Sequence, residues 1–190
     1  MACRVLLVGS GITSAITASI LSNKFKKNIS LVIWDKARGM GGRMSTSRSP
    51  SDSNCIADLG AQYITLEKDA YEQHREIYES LLNEKLLEPL CGKVIGMREM
   101  PSSTKHFVAP NGMNSLVKHF LKKIPDEIHF EHHVSVISST DQKWKVETKS
   151  GATDLFDIVI LTMPIPQILE LTGTIQDVIT GNEELNVNLK

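Results

Sequence analysis

RVLLVGSGITS, residues 4–14, decides the fold of this chain. Arg4–Val8 is mostly apolar with little alternation, as a strand buried on both faces must be. Gly9–Gly11 breaks that run, and Ile12 to about Asn23 reads as a helix rich in small and apolar residues. Lys24–Asn28 is a polar turn, and Ile29–Trp34 is a second apolar strand. Residues 4–34 therefore form one β-α-β unit, because parallel strands need a crossover of about this length. Gly9 lets the chain turn tightly. Gly11, lacking a side chain, lets a pyrophosphate approach the backbone, while the helix N-terminus points N–H groups at the anion. Ser14 stands where the usual fingerprint has its third glycine, a position that serves contact between helix and strand. Without a ligand, the same glycine triplet is simply a tight turn.

The rest of the composition sets bounds around this unit. The chain has 190 residues, 41% hydrophobic and 23% charged, which fits a globular domain rather than a disordered one. A net charge of −1 offers no basic excess for a phosphate backbone, so general nucleic-acid binding is not expected. No apolar run approaches the ~20 residues that cross a bilayer, so no membrane span is expected. Cys3, Cys55 and Cys91 are an odd set without C-x-x-C spacing, against both a disulfide framework and a zinc ribbon. Arg4 followed by LLVGSGITSAITASIL also has the outline of a secretory signal. Cleavage near Ala18 would remove the first strand, the turn and the helix together, so the two readings nearly exclude each other. The glycine placement favours the retained strand–turn–helix and a cytoplasmic chain.

Beyond residue 34, Ala37–Asn54 is a Gly-, Ser- and Arg-rich loop. Lys68–Leu87 is the longest helical signal, with Tyr71, Ile77, Tyr78, Leu81 and Leu82 on its apolar face. Short strands are expected over Lys93–Met97 and His106–Val108. A helix is expected over Met113–Lys123, with Met113, Leu116, Val117, Phe120 and Leu121 inward. Ile128–Ser138 and Lys143–Lys149 read as a hairpin, Leu155–Leu161 as a buried strand, and Gln167–Leu171 as a short helix permitted by Pro166.

Two features address the ligand. Asp35 ends the second strand, where a carboxylate accepts hydrogen bonds from ribose hydroxyls. Gly41-Gly42-Arg43 follows in a short loop: the glycines permit close backbone approach, and a guanidinium can fork onto diphosphate oxygens. Taken alone, Asp35 is also compatible with a solvated strand end, and the glycine–arginine loop with a flexible surface segment. Asp-x5-Gly-Gly-Arg after such a unit resembles the flavin-dependent amine-oxidase superfamily. WDKA (34–37), GGRM (41–44), DLGAQYI (58–64), FVAP (107–110) and LTMP (161–164) resemble, in order, its renalase branch.

That resemblance implies an α/β protein: a Rossmann-type FAD-binding domain with part of a mixed-sheet substrate domain. Residues 1–66 and 125–171 would form the FAD-binding part, 67–124 the partial substrate domain, and 172–190 a divergent polar tail. It implies cofactor contacts at Gly9, Gly11, Ile12, Thr13, Asp35, Lys36, Gly42 and Arg43. Gln62 and Tyr63 would lie beside the flavin, with Tyr63 also facing substrate, and the backbone of Val134 would touch adenine. The implied activity is oxidation of dihydro-NAD(P) isomers to NAD(P)+, with oxygen reduced to hydrogen peroxide. Members of the branch run well beyond residue 190, so impaired turnover is expected of this length, or a non-catalytic binding or signalling role. Animal members have been described as secreted, which is the alternative to a cytoplasmic location.

No catalytic acid or base stands out. His132 and His133, adjacent on an expected strand, would point to opposite faces and cannot share a metal ion. No metal site is expected, and no oligomeric state is legible.

Overall fold

The computed structural model describes residues 2–92, 94–122, 124 and 127–181. β1 (Cys3–Val8), α1 (Ile12–Phe25) and β2 (Ile29–Trp34) come first. β3 (Thr46–Arg48), β4 (Ile56–Asp58), β5 (Ile64–Leu66), α2 (Lys68–Gln73), α3 (Arg75–Asn83), β6 (Glu88–Pro89), β7 (Lys105–Val108) and α4 (Asn114–Leu121) follow. Then come β8 (Glu127–His129), β9 (Val134–Thr140), β10 (Lys143–Thr148), β11 (Thr153–Phe156), β12 (Ile158–Leu161), α5 (Ile165–Leu169) and α6 (Ile175–Thr180). The chain divides into two compact units, one made of the chain up to Gly42 and from Phe120 onward, the other of Arg43–His119. This is a partition by contact; the sequence-based division at 66/67 and 124/125 is one by ligand role.

In the first unit a parallel sheet runs in the order β12-β1-β2-β8. β1 pairs with β2 from Cys3↔Ile29 to Val8↔Trp34, and with β12 from Val5↔Ile158 to Val8↔Leu161. Ser14, Ala15 and Ala18 are the buried positions of α1; small side chains let the helix axis approach the sheet. A second sheet is an antiparallel meander, β11-β10-β9. Leu6, Val8, Val32 and Trp34 join Val134, Ile137, Val146, Phe156 and Leu171 in one buried cluster. Phe156 meets Trp34 edge-on at 5.5 Å, a preferred aromatic geometry.

Two expected strands of this unit are each split. Leu155–Leu161 is not one strand: β11 belongs to the meander and β12 to the parallel sheet. The change occurs at Asp157, whose N–H donates to the Arg4 carbonyl (2.9 Å) while its carboxylate accepts the Arg4 N–H (2.8 Å). The Arg4 guanidinium bonds both oxygens of Asp154, at 2.9 and 2.7 Å, and lies 4.9 Å from the Phe156 ring centre. Arg4 thereby holds the Asp154 carboxyl below the usual carboxylate range. Likewise, Ile128–Ser138 is not one strand. β8 pairs with β2, Glu131 takes a positive φ of 58°, and β9 begins at Val134 in the other sheet. The hairpin itself is present, with β9 and β10 joined through Asp141 at φ 51°. His132 and His133 consequently precede the strand rather than lie on it.

Within the stretch read as a polar tail, residues 172–180 belong to the fold. Thr172 exchanges backbone bonds with Ser135 and Ile137 (3.0 and 2.9 Å), and Ile179 of α6 is buried. Residues 182–190 of that tail lie outside the described residues.

In the second unit β5-β7-β6 form an antiparallel sheet and β3-β4 a separate pair. The expected helix over Lys68–Leu87 is two, α2 and α3, broken at His74 (φ −122°). Seven residues of straight helix span about 10.5 Å. With the break, the Tyr71 and Tyr78 rings stack at 6.3 Å. The expected strand at Lys93–Met97 is not present over 94–97, where Ile95-Gly96 turns with Gly96 at φ 78°; Lys93 lies outside the described residues. α4 ends at Leu121, and Met113, Leu116, Val117, Phe120 and Leu121 are all buried as the periodicity requires; Lys123 lies outside the described residues.

Candidate functional site

The predicted nucleotide residues of the first unit converge at the C-terminal ends of β1 and β2, the position where open parallel α/β sheets take ligands. Gly9 turns at φ 106°, and its N–H bonds the Trp34 carbonyl at 2.8 Å. A Cβ on Gly9 would lie 2.8 Å from Thr162 Oγ1, so this position admits glycine alone. Thr162 is fixed there by donating to the Val8 carbonyl at 2.8 Å.

Gly11 is the N-cap of α1, and no side chain caps the helix. The first intrahelical N–H bond recorded at this end runs from Ala15 to Gly11 O (3.0 Å). Ile12 and Thr13 thus stand in the first turn, where N–H groups lack helical acceptors. The Thr13 side chain is exposed. Gly41 and Gly42 close on this turn from the following loop. The Gly41 N–H donates to Ser10 O at 3.0 Å, Gly41 bridges Gly11, and a Cβ on Gly42 would lie 3.5 Å from Gly11 Cα. Three glycines therefore bring two backbones together beside an uncapped helix end. That surface fits a diphosphate, since among the described residues no side chain caps the helix and its first-turn donors are main-chain N–H groups and the Thr13 hydroxyl.

Asp35 has a further role that the sequence did not reveal. Its Oδ2 accepts both the Ser10 N–H and the Ser10 hydroxyl, each at 2.6 Å, and its Oδ1 accepts the Ala37 N–H at 2.7 Å. A carboxylate offers about four acceptor positions. Three are used within the chain, leaving one on Oδ1 for a ribose hydroxyl. Ser10, fully buried, is the site residue sequence reasoning missed; nothing in its identity signals that it locks the turn to Asp35. Lys36 is exposed beside it. Val134 is buried with its side chain in the core, so its main chain is what a ligand can meet. Next to it, burial and then Lys149 and Lys36 push the His133 imidazole below its ordinary pKa.

In the second unit the Arg43 main chain meets the segment that carries Gln62 and Tyr63. The Ala61 N–H donates to the Arg43 carbonyl (2.9 Å), and the Leu59 N–H to Ser45 O (2.9 Å). A Cβ on Gly60 would collide with the Arg43 carbonyl oxygen, which explains glycine at the centre of DLGAQY. Asp58 Oδ1 accepts the Thr46 hydroxyl (2.6 Å) and the Met113 N–H (2.8 Å), while Thr46 Oγ1 accepts the Asn114 N–H (3.1 Å). Asp58 and Thr46 thus satisfy the first donors of α4 from a distant hairpin. Arg43 and Gln62 are exposed and Tyr63 is half-buried. Among the described residues, no group of three or more His, Cys, Asp or Glu is arranged to hold a metal ion, and no helix is long and apolar enough to cross a membrane.

A parallel sheet with a glycine cradle at its carboxyl edge, followed by a Gly-Gly-Arg loop, defines the Rossmann-type dinucleotide-binding class. The chain matches the NAD(P)-binding Rossmann-like domain over residues 7–81 and the flavin containing amine oxidoreductase family over residues 92–180. Within that class it is a relative of renalase: it is 44% identical to renalase of Mus musculus over 180 residues, 95% of this chain and 52% of the mouse protein. The chain thus spans about half the length of that curated relative. The fold is shared with the protein named "Putative protoporphyrinogen oxidase" from Exiguobacterium sp. 255-15, at a TM-score of 0.68 and 12% identity over 90% of this chain and 61% of that one. It is shared also with the tetracycline destructase Tet(51), at a TM-score of 0.54 and 15% identity over 87% and 40%.

Proposed function

We propose that residues 1–190 carry the FAD-binding region of a renalase-type oxidoreductase that oxidises dihydro-NAD(P) isomers to NAD(P)+, with oxygen reduced to hydrogen peroxide. The observation that carries this reading is the uncapped α1 terminus lined by Gly9, Gly11, Gly41 and Gly42, with Asp35 fixing its turn. When bound, the flavin supplies hydride acceptance from the reduced nicotinamide and passes the electron pair to oxygen. The chain's own residues bind and orient. Main-chain N–H groups of the first α1 turn and the Thr13 hydroxyl meet diphosphate oxygens, and Arg43 adds a charged fork. Asp35 keeps one acceptor position for ribose, Lys36 adds positive charge at the rim, and the Val134 main chain meets adenine. Gln62 and Tyr63 border the ring, with Tyr63 also toward the nicotinamide.

The test is a visible spectrum and FAD titration of the purified chain, beside Arg43→Ala. A charge-assisted contact contributes roughly 1.5–3 kcal/mol, so the variant should bind FAD roughly 10- to 150-fold more weakly. Unchanged affinity would remove Arg43 from the site. Because the chain spans half of its relative, turnover by residues 1–190 alone should be on the order of 10²-fold below that of a version extended to the relative's length; misplacement of reacting atoms by about 1 Å has that effect. Equal turnover at equal flavin occupancy would place the whole catalytic site within these residues. Retention of β1 and its glycines also favours a cytoplasmic chain. A mature N-terminus near Ser19, or a glycan on Asn28 of the acceptor pattern Asn28-Ile29-Ser30, in protein from animal cells would overturn that location.

A further inference from the structure

We propose that the second unit carries a separate site for a small aromatic carboxylate, its ring against Leu66 and Tyr71 and its charge on Lys105. A cavity of about 310 Å³ lies between the end of β5, helix α2 and the start of β7. That volume is at the lower end of the roughly 300–1,000 Å³ of ligand pockets, enough for one ring and one charged group and too little for a dinucleotide. Leu66 stands directly opposite Lys105 in the antiparallel pair, so their side chains share one face of the sheet. Thr65 and His106, the neighbouring pair, take the other face, where the His106 ring meets Tyr63 at 5.9 Å. The cavity and the residue assigned above to the flavin therefore lie on opposite sides of β5 and β7.

The walls select the ligand. Leu66 is 2% exposed and supplies an apolar floor. Tyr71 is a held platform: its hydroxyl donates to Glu79 at 3.3 Å, and its ring stacks on Tyr78. An aromatic ring gains from an offset or edge contact with such a surface. The charges on the walls are not balanced. Glu72 is paired with Arg75, so its carboxylate is spent within α2 and α3. Among the described residues neither Lys68 nor Lys105 forms an ion pair. Two ammonium groups thus stand against one uncommitted carboxylate, Glu67. The contact recorded for the Lys105 ammonium is the Tyr71 ring, 6.0 Å from its centre, at the outer limit of about 6 Å for cation–π attraction. A ligand carboxylate offers that ammonium a stronger partner, and the exposed Ser103 hydroxyl on the same wall can donate to it as well.

The experiment is an amide-resolved NMR titration of the 190-residue chain with sodium benzoate, and in parallel with benzylamine and hexanoate. Benzoate should move the amide signals of Leu66, Tyr71 and Ser103–Lys105 saturably, and benzylamine should not. Lys105→Met keeps the apolar stem and removes the charge, and should weaken benzoate binding roughly two- to fivefold, the range of an exposed ion pair. Lys118→Met, at an exposed lysine of α4 outside the cavity, should leave it unchanged. Tyr71→Leu keeps an apolar floor, and should cost benzoate more than hexanoate by roughly two- to tenfold, the range of one aromatic pair. The same spectra show whether each variant is folded. Benzylamine binding as well as benzoate, unchanged affinity in Lys105→Met, or equal losses for both carboxylates in Tyr71→Leu would overturn the proposal. So would benzoate shifts centred on Gly9–Thr13, which would seat the anion in the glycine cradle instead.

Discussion

Each of the two units is stabilised internally by different means. In the first, β1 and β2 bury Val5–Val8 and Leu31–Trp34, and the central cluster is almost wholly hydrocarbon and aromatic: Leu6, Val32, Trp34, Ile137 and Phe156. In the second, strands of two to four residues carry little apolar length, and Leu59 and Ile95 are 70% and 94% exposed. There the chain path is fixed by single polar and steric devices, namely Asp58 and Thr46 on the first donors of α4 and Gly60 against the Arg43 backbone. A hydrophobic core spreads its stabilisation over many atoms, whereas a polar node concentrates it in one carboxylate. The two units should therefore respond differently to truncation and to loss of a hydrogen-bond partner.

The largest effect is expected in the hydrocarbon cluster. Phe156→Ala removes a fully buried ring that touches Trp34 and should cost about 3–5 kcal/mol in urea unfolding. A loss below about 1 kcal/mol would mean that the cluster does not govern stability. Next is Asp58→Ala, which strands the Met113 N–H and the Thr46 hydroxyl at once. About 1–3 kcal/mol should be lost, with faster amide exchange at the start of α4 and little change in β1 or β2. Equal protection loss in both regions would break the contrast between the two units.

The third substitution should stabilise. Ser14 is fully buried and its hydroxyl has no hydrogen-bond partner among the described residues, so Ser14→Ala removes an unpaired polar atom and adds helix propensity. A gain of about 1 kcal/mol is expected, read as a higher Tm. A fall would reveal a partner for that hydroxyl.

The smallest effect is that of Asp154. Its pKa is lowered from 3.8, chiefly by the Arg4 hydrogen bond, so its contribution is full above that value and lost as pH falls through the depressed folded pKa. Both side chains are more than a third exposed, and solvent screening limits the pair to under about 1 kcal/mol. Asp154→Asn should lower stability slightly at neutral pH, and the difference should disappear as pH falls through the depressed folded pKa, read from urea unfolding at a series of pH values.

What was legible in the sequence follows the same contrast. β1, α1 and β2 are readable because each is long enough for its pattern to appear within a few consecutive residues. The glycine turn is readable because its requirement is local. The split between β11 and β12 is not, since the apolar run from Leu155 to Leu161 is interrupted only by Asp157 and the change of sheet is enforced by Arg4, far away in sequence. The break after His129 is hidden because a glutamate, not a glycine, adopts the positive φ at residue 131. Asp58 sits inside a segment whose resemblance marks it, but its partner lies 55 residues on.

The bond between Arg4 and Asp157 also orders events during synthesis. The first unit is discontinuous along the chain, with Arg43–His119 inserted between its parts. β1 cannot acquire β12 as a neighbour until about residue 161 has emerged, which at roughly 5–20 residues per second is on the order of 10–30 s after β1 itself is made. The inserted unit is contiguous and emerges first. Until β12 arrives, one edge of a strongly apolar parallel pair has only water or a chaperone beside it, so ribosome-bound chains halted before residue 158 should be the species most prone to aggregate.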